Sequence, residues 1–312
     1  MEVDLFLTRV AARVTALVYG MPHSVRFPVA GLAARPGKGI RAAMLATCAE
    51  CGVVADPWRL VRLGAVVELL HLASLLHDDL VDQATTRRGA PAAHTVAGAD
   101  LAMLAGTASF ALAGAEVAAL GGDLHVLVAR AVTELAYGEM LDVERAYDVR
   151  LSMVDYLELA ERKTGELFRL SCLLGAAEAG VEPAIARSLA EFGARLGVAF
   201  QILDDCLDLR TDTGKPTGTD HLLGLFGAPA LFALRDDSGG ELATLLLSPS
   251  LRPSDLPAVR RLIEARGGFT AAAELARTCH DEALATLDEL DPATRDRLTD
   301  TVTAVWRELA RP

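Results

Sequence analysis

Apolar residues recur along this chain at three- and four-residue intervals, and no convincing strand alternation interrupts them. The pattern predicts helices separated by glycine and proline. Leu5–Tyr19 forms the first and stops at Gly20 and Pro22, and Arg41–Glu50 forms a second that ends near Gly52. Asp56 and Pro57, an N-cap and first-turn pair, open a long apolar helix that runs into an acidic cluster at Asp78. Thr85–His94 holds Gly89 and Pro91 and is a loop. Ala97–Leu120, Leu124–Asp142 and Met153–Ala179 follow as helices, the last interrupted at Lys163-Thr164-Gly165. Glu182-Pro183 opens another long helix with a second acidic cluster at its far end, and Asp212–Asp220 is a second loop. From Leu222 the segments shorten, cut by Pro229, Gly239-Gly240, Pro253 and Gly267-Gly268. No low-complexity linker divides the chain, so the expectation is one all-α domain over residues 1–312.

Composition supports helices and narrows the partners. The hydrophobic fraction is 52 % but the aromatic fraction only 5 %, with Ala and Leu dominant, which favours close-packed helices over sheet. A net charge of −12 argues against nucleic acid and against an anionic membrane surface. Glu2 and Asp4 stand where a signal peptide would carry basic residues, so no leader is expected. The longest uncharged apolar stretch, Leu101–Ala115, has 15 residues, short of the ~20 of a spanning helix, and reads as a core helix rather than a transmembrane segment. Five cysteines without a regular framework suit a reducing cytoplasm, and the lone Cys48/Cys51 pair reads as packing rather than zinc. Of 30 basic residues only three are lysines, Lys38, Lys163 and Lys215. Lysine is a compact, strongly hydrated point charge, and three of them among arginines suggest contacts with a polyanion.

Asp78-Asp79-Leu80-Val81-Asp82 and Asp204-Asp205-Cys206-Leu207-Asp208 repeat one acidic pattern 126 positions apart, each at the end of an apolar helix. The first and fifth aspartates of each share a helix face. Like charges so placed repel, and partial burial multiplies the cost. Two copies that meet across one cavity imply cations between them. Carboxylate oxygens select a hard ion, and Mg²⁺ comes before Ca²⁺ because no Gly-centred calcium loop surrounds either cluster. Magnesium on few carboxylates shares its other positions with water and phosphate oxygens, so a diphosphate is the expected ligand.

Basic residues gather where such a ligand would need them. Thr85-Thr86-Arg87-Arg88-Gly89 places adjacent guanidinium forks just past the first acidic cluster. Pro36-Gly37-Lys38-Gly39-Ile40-Arg41 places two cations at a helix start, behind glycines that permit close backbone approach. Gln201 precedes the second cluster by three residues, and Lys215 lies between Thr213 and Asp220. His71 stands two helical turns before Asp78 on the same broad face, where a functional role and a buried core histidine both fit it. His71, His77 and His94 lack cysteine company or an HExxH pattern, so zinc is not expected.

Taken together, these residues resemble the trans-isoprenyl (polyprenyl) diphosphate synthase family from about Gly37 to Leu234. Asp78–Gly89 is similar to the family's first aspartate-rich motif with its paired arginines, and Gln201–Asp208 with Gly214–Asp220 to its second. The resemblance implies a homodimer of antiparallel helical bundles, each around a deep central cavity. It also implies condensation of isopentenyl diphosphate with an allylic diphosphate, with release of pyrophosphate. Lys38, Arg41, His71 and Arg88 would hold the diphosphate of isopentenyl diphosphate. Arg87, Lys163, Thr164, Gln201 and Lys215 would bind or stabilise the allylic diphosphate. Asp78, Asp82 and Asp204 would be the principal ligands of three Mg²⁺ ions, with Asp79, Asp205 and Asp208 supporting through water or hydrogen bonds. The chain departs from the family pattern in two places: Gly39 and Ala42 replace a cation and a proline, and Leu225 stands where many members have lysine.

Product length follows from what lines the helix beneath Asp78. Ala73 and Ser74 lie one turn below and Leu70 two turns below, and neither Ala73 nor Ser74 is large enough to block a growing chain. The expected product is geranylgeranyl diphosphate or longer, with Leu70 or Phe110 of the neighbouring helix as a lower floor. Two rivals stand beside this reading, a class I terpene cyclase and a non-catalytic subunit of a heteromeric prenyltransferase. A cyclase would carry a mixed Asn/Ser/Glu second motif, and a non-catalytic subunit would lose acidic residues, whereas all six aspartates are present.

Overall fold

The computed structural model describes residues 2–209, 218–288 and 290–309. Helices α1 (Val3–Tyr19), α2 (His23–Ala33), α3 (Ile40–Ala49) and α4 (Pro57–Val81) come first. They are followed by α5 (Ala93–Ala97), α6 (Ala99–Ala118), α7 (Leu124–Glu144) and α8 (Met153–Ala160). A π-helical turn, Glu161–Gly165, joins α8 to α9 (Glu166–Glu178), and α10 (Pro183–Asp208) carries the second acidic motif. The remainder is α11 (Thr219–Leu222), α12 (Ala228–Arg235), α13 (Glu241–Leu246), α14 (Leu256–Ala265), α15 (Gly268–Ala285) and α16 (Pro292–Leu309).

The all-α expectation holds, and the long helices start where their signals stand. The Asp56 side chain accepts from the Trp58 backbone N–H at 2.9 Å, with Pro57 in the first turn, and Pro183 opens α10 in the same way. Three differences have physical reasons. The sequence reading passed over α2, a short helix behind Pro22 with Pro28 inside it. The single helix expected over Met153–Ala179 is two helices joined by the π turn, so the interruption at Lys163-Thr164-Gly165 is real but does not break the rod. The loop after the first motif contains a two-residue antiparallel ribbon, Thr86–Arg87 with Ala90–Pro91, turned by Arg88 and Gly89 at φ of 50° and 72°.

Helix α4 is the axis of the first half. It buries residues on every side, from Leu60 to Leu76, against α1, α3, α6, α7 and α9. His77 meets Gly106 and Arg62 meets Glu116, so α4 and α6 run antiparallel. Helix α10 packs between α9 and α15, and its lower half joins α3 and α9 in an apolar cluster around Met44, Phe168 and Phe192. By length and composition α4 and α6 could each cross a membrane, so the 15-residue stretch from Leu101 extends to a 20-residue helix. Two-thirds of the most apolar window of α4 is buried inside the protein (67 %), which assigns its apolar surface to the core.

Candidate active site

The C-terminal ends of α4 and α10 present their aspartates to one cleft, and α7 and the π turn form its wall. Burial holds the Asp82 carboxyl up at about 6, with Asp78 and Asp142 adding to the rise against the pull of Lys163. Asp208 stands at about 7, raised by burial, by Asp205 and Asp204, and by Asp82 of the other motif. Asp220 and Glu139 reach about 8, burial again leading and the neighbouring carboxylates following. Lys163 lies among them, 2.5 Å from Asp142 and 3.4 Å from Glu139. Burial alone would pull its ammonium down, but Asp142, Asp78, Glu139 and Asp82 hold it well above the lysine range. It is therefore charged.

The π turn sets the position of Lys163. Gly138 of α7 faces the backbone of Arg162 and Lys163 so closely that a Cβ there would lie 2.7 Å from the Lys163 nitrogen. The bulge thus lets α7 approach and brings Lys163 over Glu139 and Asp142, the commonest use of such a bulge being at functional sites.

Asp79 and Asp205 point away from the cleft into hydrogen bonds. Arg87 Nε donates to Asp79 at 2.6 Å, and Asp79 is only 1 % exposed. Asp205 accepts from the Tyr156 hydroxyl at 2.6 Å, from Gln201 at 2.8 Å and from the Ala228 backbone N–H at 3.0 Å. Gly227 permits that last contact, because a Cβ at this position would sit 2.5 Å from the Asp205 carboxylate. Thr164 donates to Gln201 at 2.6 Å, so Thr164, Gln201 and Tyr156 form one chain that fixes Asp205. Of the three aspartates expected to support through water or hydrogen bonds, Asp79 and Asp205 are held by hydrogen bonds here, whereas Asp208 Oδ2 is buried without a partner among the described residues. Arg87, expected on the allylic diphosphate, is bound to Asp79 here, and Thr164 and Gln201 are bound to each other.

The other cation set assembles as a group at the start of α3. Gly37, Lys38 and Arg88 share the lining of one cleft of about 360 Å³, whose floor includes Glu68 and Leu72 of α4. Arg88 donates to the Arg35 carbonyl at 2.7 Å, and Gly37 lies beneath its guanidinium. Arg41 is half-buried, stacks over the Phe168 ring at 4.7 Å and lies 3.4 Å from His71 Nε2. Burial lowers its guanidinium to about 10, and the same burial with Arg41 and Arg88 nearby pushes His71 well below the imidazole range. His71 is neutral. An arginine can only donate, so Nε2 accepts and the ring proton sits on Nδ1, free to meet an anion.

Sequence reasoning missed Glu68, Glu139, Asp142 and Tyr156, and placed Asp220 in the second motif without giving it a role. Glu139 and Asp142 are three apart behind Gly138, a spacing that places both on one helix face, and Glu68 is the one acidic residue in the apolar stretch of α4. Those signals were readable; nothing local marks Tyr156. Lys215 lies outside the described residues. Among the chain-length residues, Leu70 and Ala73 are fully covered, while Ser74 keeps accessible surface and donates to the His71 carbonyl at 3.0 Å. Phe110 corrects the expected lower floor: its ring lies 5.6 Å from that of His77, at the aspartate end of α4. Helical side chains lean toward their own N-terminus, which carries Phe110 back toward Gly106 and His77 rather than down to Leu70.

The donor set fits a hard divalent cation. Asp82 Oδ1, Glu139 Oε1 and Asp208 Oδ2 are buried without a hydrogen-bond partner among the described residues. Several carboxylates with raised pKa values around one cleft are stable together only when protonated or when cations stand between them.

Known proteins are similar to this chain in sequence and in shape. The chloroplastic solanesyl diphosphate synthase 2 of Arabidopsis thaliana is 32 % identical over 231 residues, 73 % of this chain but 55 % of that protein, so the chain spans about half the length of this relative. Heptaprenyl diphosphate synthase component 2 of Geobacillus stearothermophilus is 33 % identical over 258 residues, covering 81 % of this chain and 80 % of that one. The crystal structure of a polyprenyl synthase from Caulobacter crescentus, complexed with calcium and isoprenyl diphosphate, superposes with a TM-score of 0.90 at 31 % identity, over 99 % of this chain and 95 % of that one. With the polyprenyl synthetase sequence pattern matched over residues 23–263, the chain belongs to the polyprenyl synthetase family.

Proposed function

We propose that the protein condenses isopentenyl diphosphate with an allylic diphosphate and releases pyrophosphate, forming geranylgeranyl diphosphate or a longer chain. The observation that carries this reading is the separation of two charged sets. Asp78, Asp82, Glu139 and Asp142 surround Lys163, and Asp82 links them to Asp204 and Asp208 of the second motif, while Lys38, Arg41, His71 and Arg88 gather around the start of α3. The first set would hold Mg²⁺, three ions by family resemblance, with Asp78, Asp82 and Asp204 as principal ligands, and the ions would neutralise charge on the departing diphosphate. Lys163 would add positive charge to the same diphosphate, as would Lys215, which lies outside the described residues. The second set binds isopentenyl diphosphate through His71 Nδ1–H and the arginines, presenting its double bond to the allylic carbon. An allylic cation requires that water be kept away from it. Among the described residues no side chain stands out as a general base, so the proton is assigned to the departing pyrophosphate.

The presence of both sets favours condensation over cyclisation, which needs only one diphosphate. Exposed apolar side chains on α6 and α7, including Met103, Leu104, Tyr137 and Met140, support a homodimer.

Asp78→Ala and Asp204→Ala test the metal assignment. Each should lower kcat by about three orders of magnitude, roughly 4 kcal/mol of lost transition-state stabilisation. Near-normal turnover of either variant in saturating Mg²⁺ would overturn it.

A further inference from the structure

His221, on the short helix α11, is 3 % exposed, and both ring nitrogens are without a hydrogen-bond partner among the described residues. Its ring lies 6.2 Å from that of Phe226, and its Nδ1 is 3.9 Å from Asp208 Oδ2, a buried oxygen equally without a partner. The backbones of the two are tied together, since Gly218 N–H donates to the Asp208 carbonyl at 2.7 Å and His221 N–H to the Gly218 carbonyl at 3.2 Å. Leaving two buried polar groups unmet costs on the order of 1–3 kcal/mol each. An apolar side chain would fill the same space beside Phe226 without that cost.

From this geometry we infer that His221 is a positioning residue for the second acidic motif: its Nδ1–H donates to Asp208 Oδ2 and turns the other carboxylate oxygen toward the cation cluster. The tied backbones hold the two side chains beside one another. Donors behind ligating groups typically change metal affinity 10–100-fold when removed.

The inference rests on the reading of Asp208 as part of the cation-binding set, and binding of Mn²⁺ with inorganic pyrophosphate, followed by electron paramagnetic resonance, separates the two. If the unaltered protein binds no Mn²⁺ under these conditions, the metal reading itself fails. If it binds, His221→Phe should weaken Mn²⁺ affinity about tenfold with little change in melting temperature. His221→Asn, which keeps a donor where Nδ1 stands, should stay within about threefold, whereas His221→Gln, whose donor falls where Nε2 stands, should resemble His221→Phe. The Asn/Gln contrast remains readable if His221→Phe fails to fold. Unchanged affinity in His221→Phe, or equal losses in Asn and Gln, would overturn the positioning role. So would nitrogen modulation from imidazole in the spin-echo spectrum, which would put His221 on the ion itself.

Discussion

A carboxyl group buried among carboxylates keeps its proton longer than it would in an unfolded chain, and heat denaturation can read that difference. Asp208 stands at about 7, and Asp220 and Glu139 at about 8, against about 4 when unfolded. The unfolded state therefore binds fewer protons over this range, and stability falls as pH rises. The contribution is fully present below about pH 4 and is lost as pH climbs through the folded values of about 7 to 8. His71 and His221 act in the opposite direction, but their contribution is complete above about pH 6.5, where the unfolded histidines are neutral too. Without divalent cations the melting temperature should fall between about pH 6.5 and 8.5, and Mg²⁺ should restore it most at the upper end. A metal-free melting temperature that rises across this window would contradict the shifts. On the opposite side of the cleft, Lys38→Ala or Arg41→Ala should raise KM for isopentenyl diphosphate at least about tenfold, and KM for the allylic starter by less than about threefold. Equal changes in both constants would show that the two sites are not separate.

The helices set how far a product can grow and how firmly the bundle holds. Ser74 is the residue with open surface one turn below Asp78, while Ala73 is fully covered on the side of α4 that His77 turns toward α6. Ser74→Phe should therefore shift the product toward farnesyl diphosphate, as read by chromatography of the dephosphorylated alcohols. Ala73→Phe should instead overpack the α4–α6 contact and cost about 1–3 kcal/mol of stability. An unchanged product distribution in Ser74→Phe would put the floor elsewhere. At the far end of the bundle, Glu116 is 5 % exposed and pairs with Arg62 at 2.7 Å and Arg13 at 2.8 Å, joining α1, α4 and α6. Glu116→Ala strands two partly covered guanidinium groups. The expected loss is about 2 kcal/mol, less than for a fully buried pair because Arg13 and Arg62 remain 26 % and 19 % exposed. A lower urea midpoint with an unchanged slope, and unchanged KM values, would bear this out.

For the molecule as a whole, the sequence made legible whatever is written locally. The Asp56-Pro57 and Glu182-Pro183 starts mark the two long helices, and the paired acidic motifs mark where those helices end in a common cleft. Lys38, Arg41, His71 and Arg88 were grouped by family resemblance, and the fold brings them together from the start of α3, from α4 and from the ribbon turn. Roles that exist only through packing were hidden. Family resemblance already set Asp79 and Asp205 apart as supporting residues, but their partners, Arg87 and Tyr156, are brought to them only by packing. Phe110 could be assigned to a helix but not to a level, because the crossing of α4 and α6 at Gly106 sets that level. On the proposed function this chain alone should join two diphosphates with a divalent cation. The reaction can be read directly by incubating the purified protein with labelled isopentenyl diphosphate and an allylic starter, with Mg²⁺ or with chelator, and separating the products. Pyrophosphate release and labelled prenyl diphosphates longer than farnesyl are expected, both abolished by chelator. Products from the allylic substrate without uptake of label, or no turnover until a second subunit is added, would contradict the proposed function.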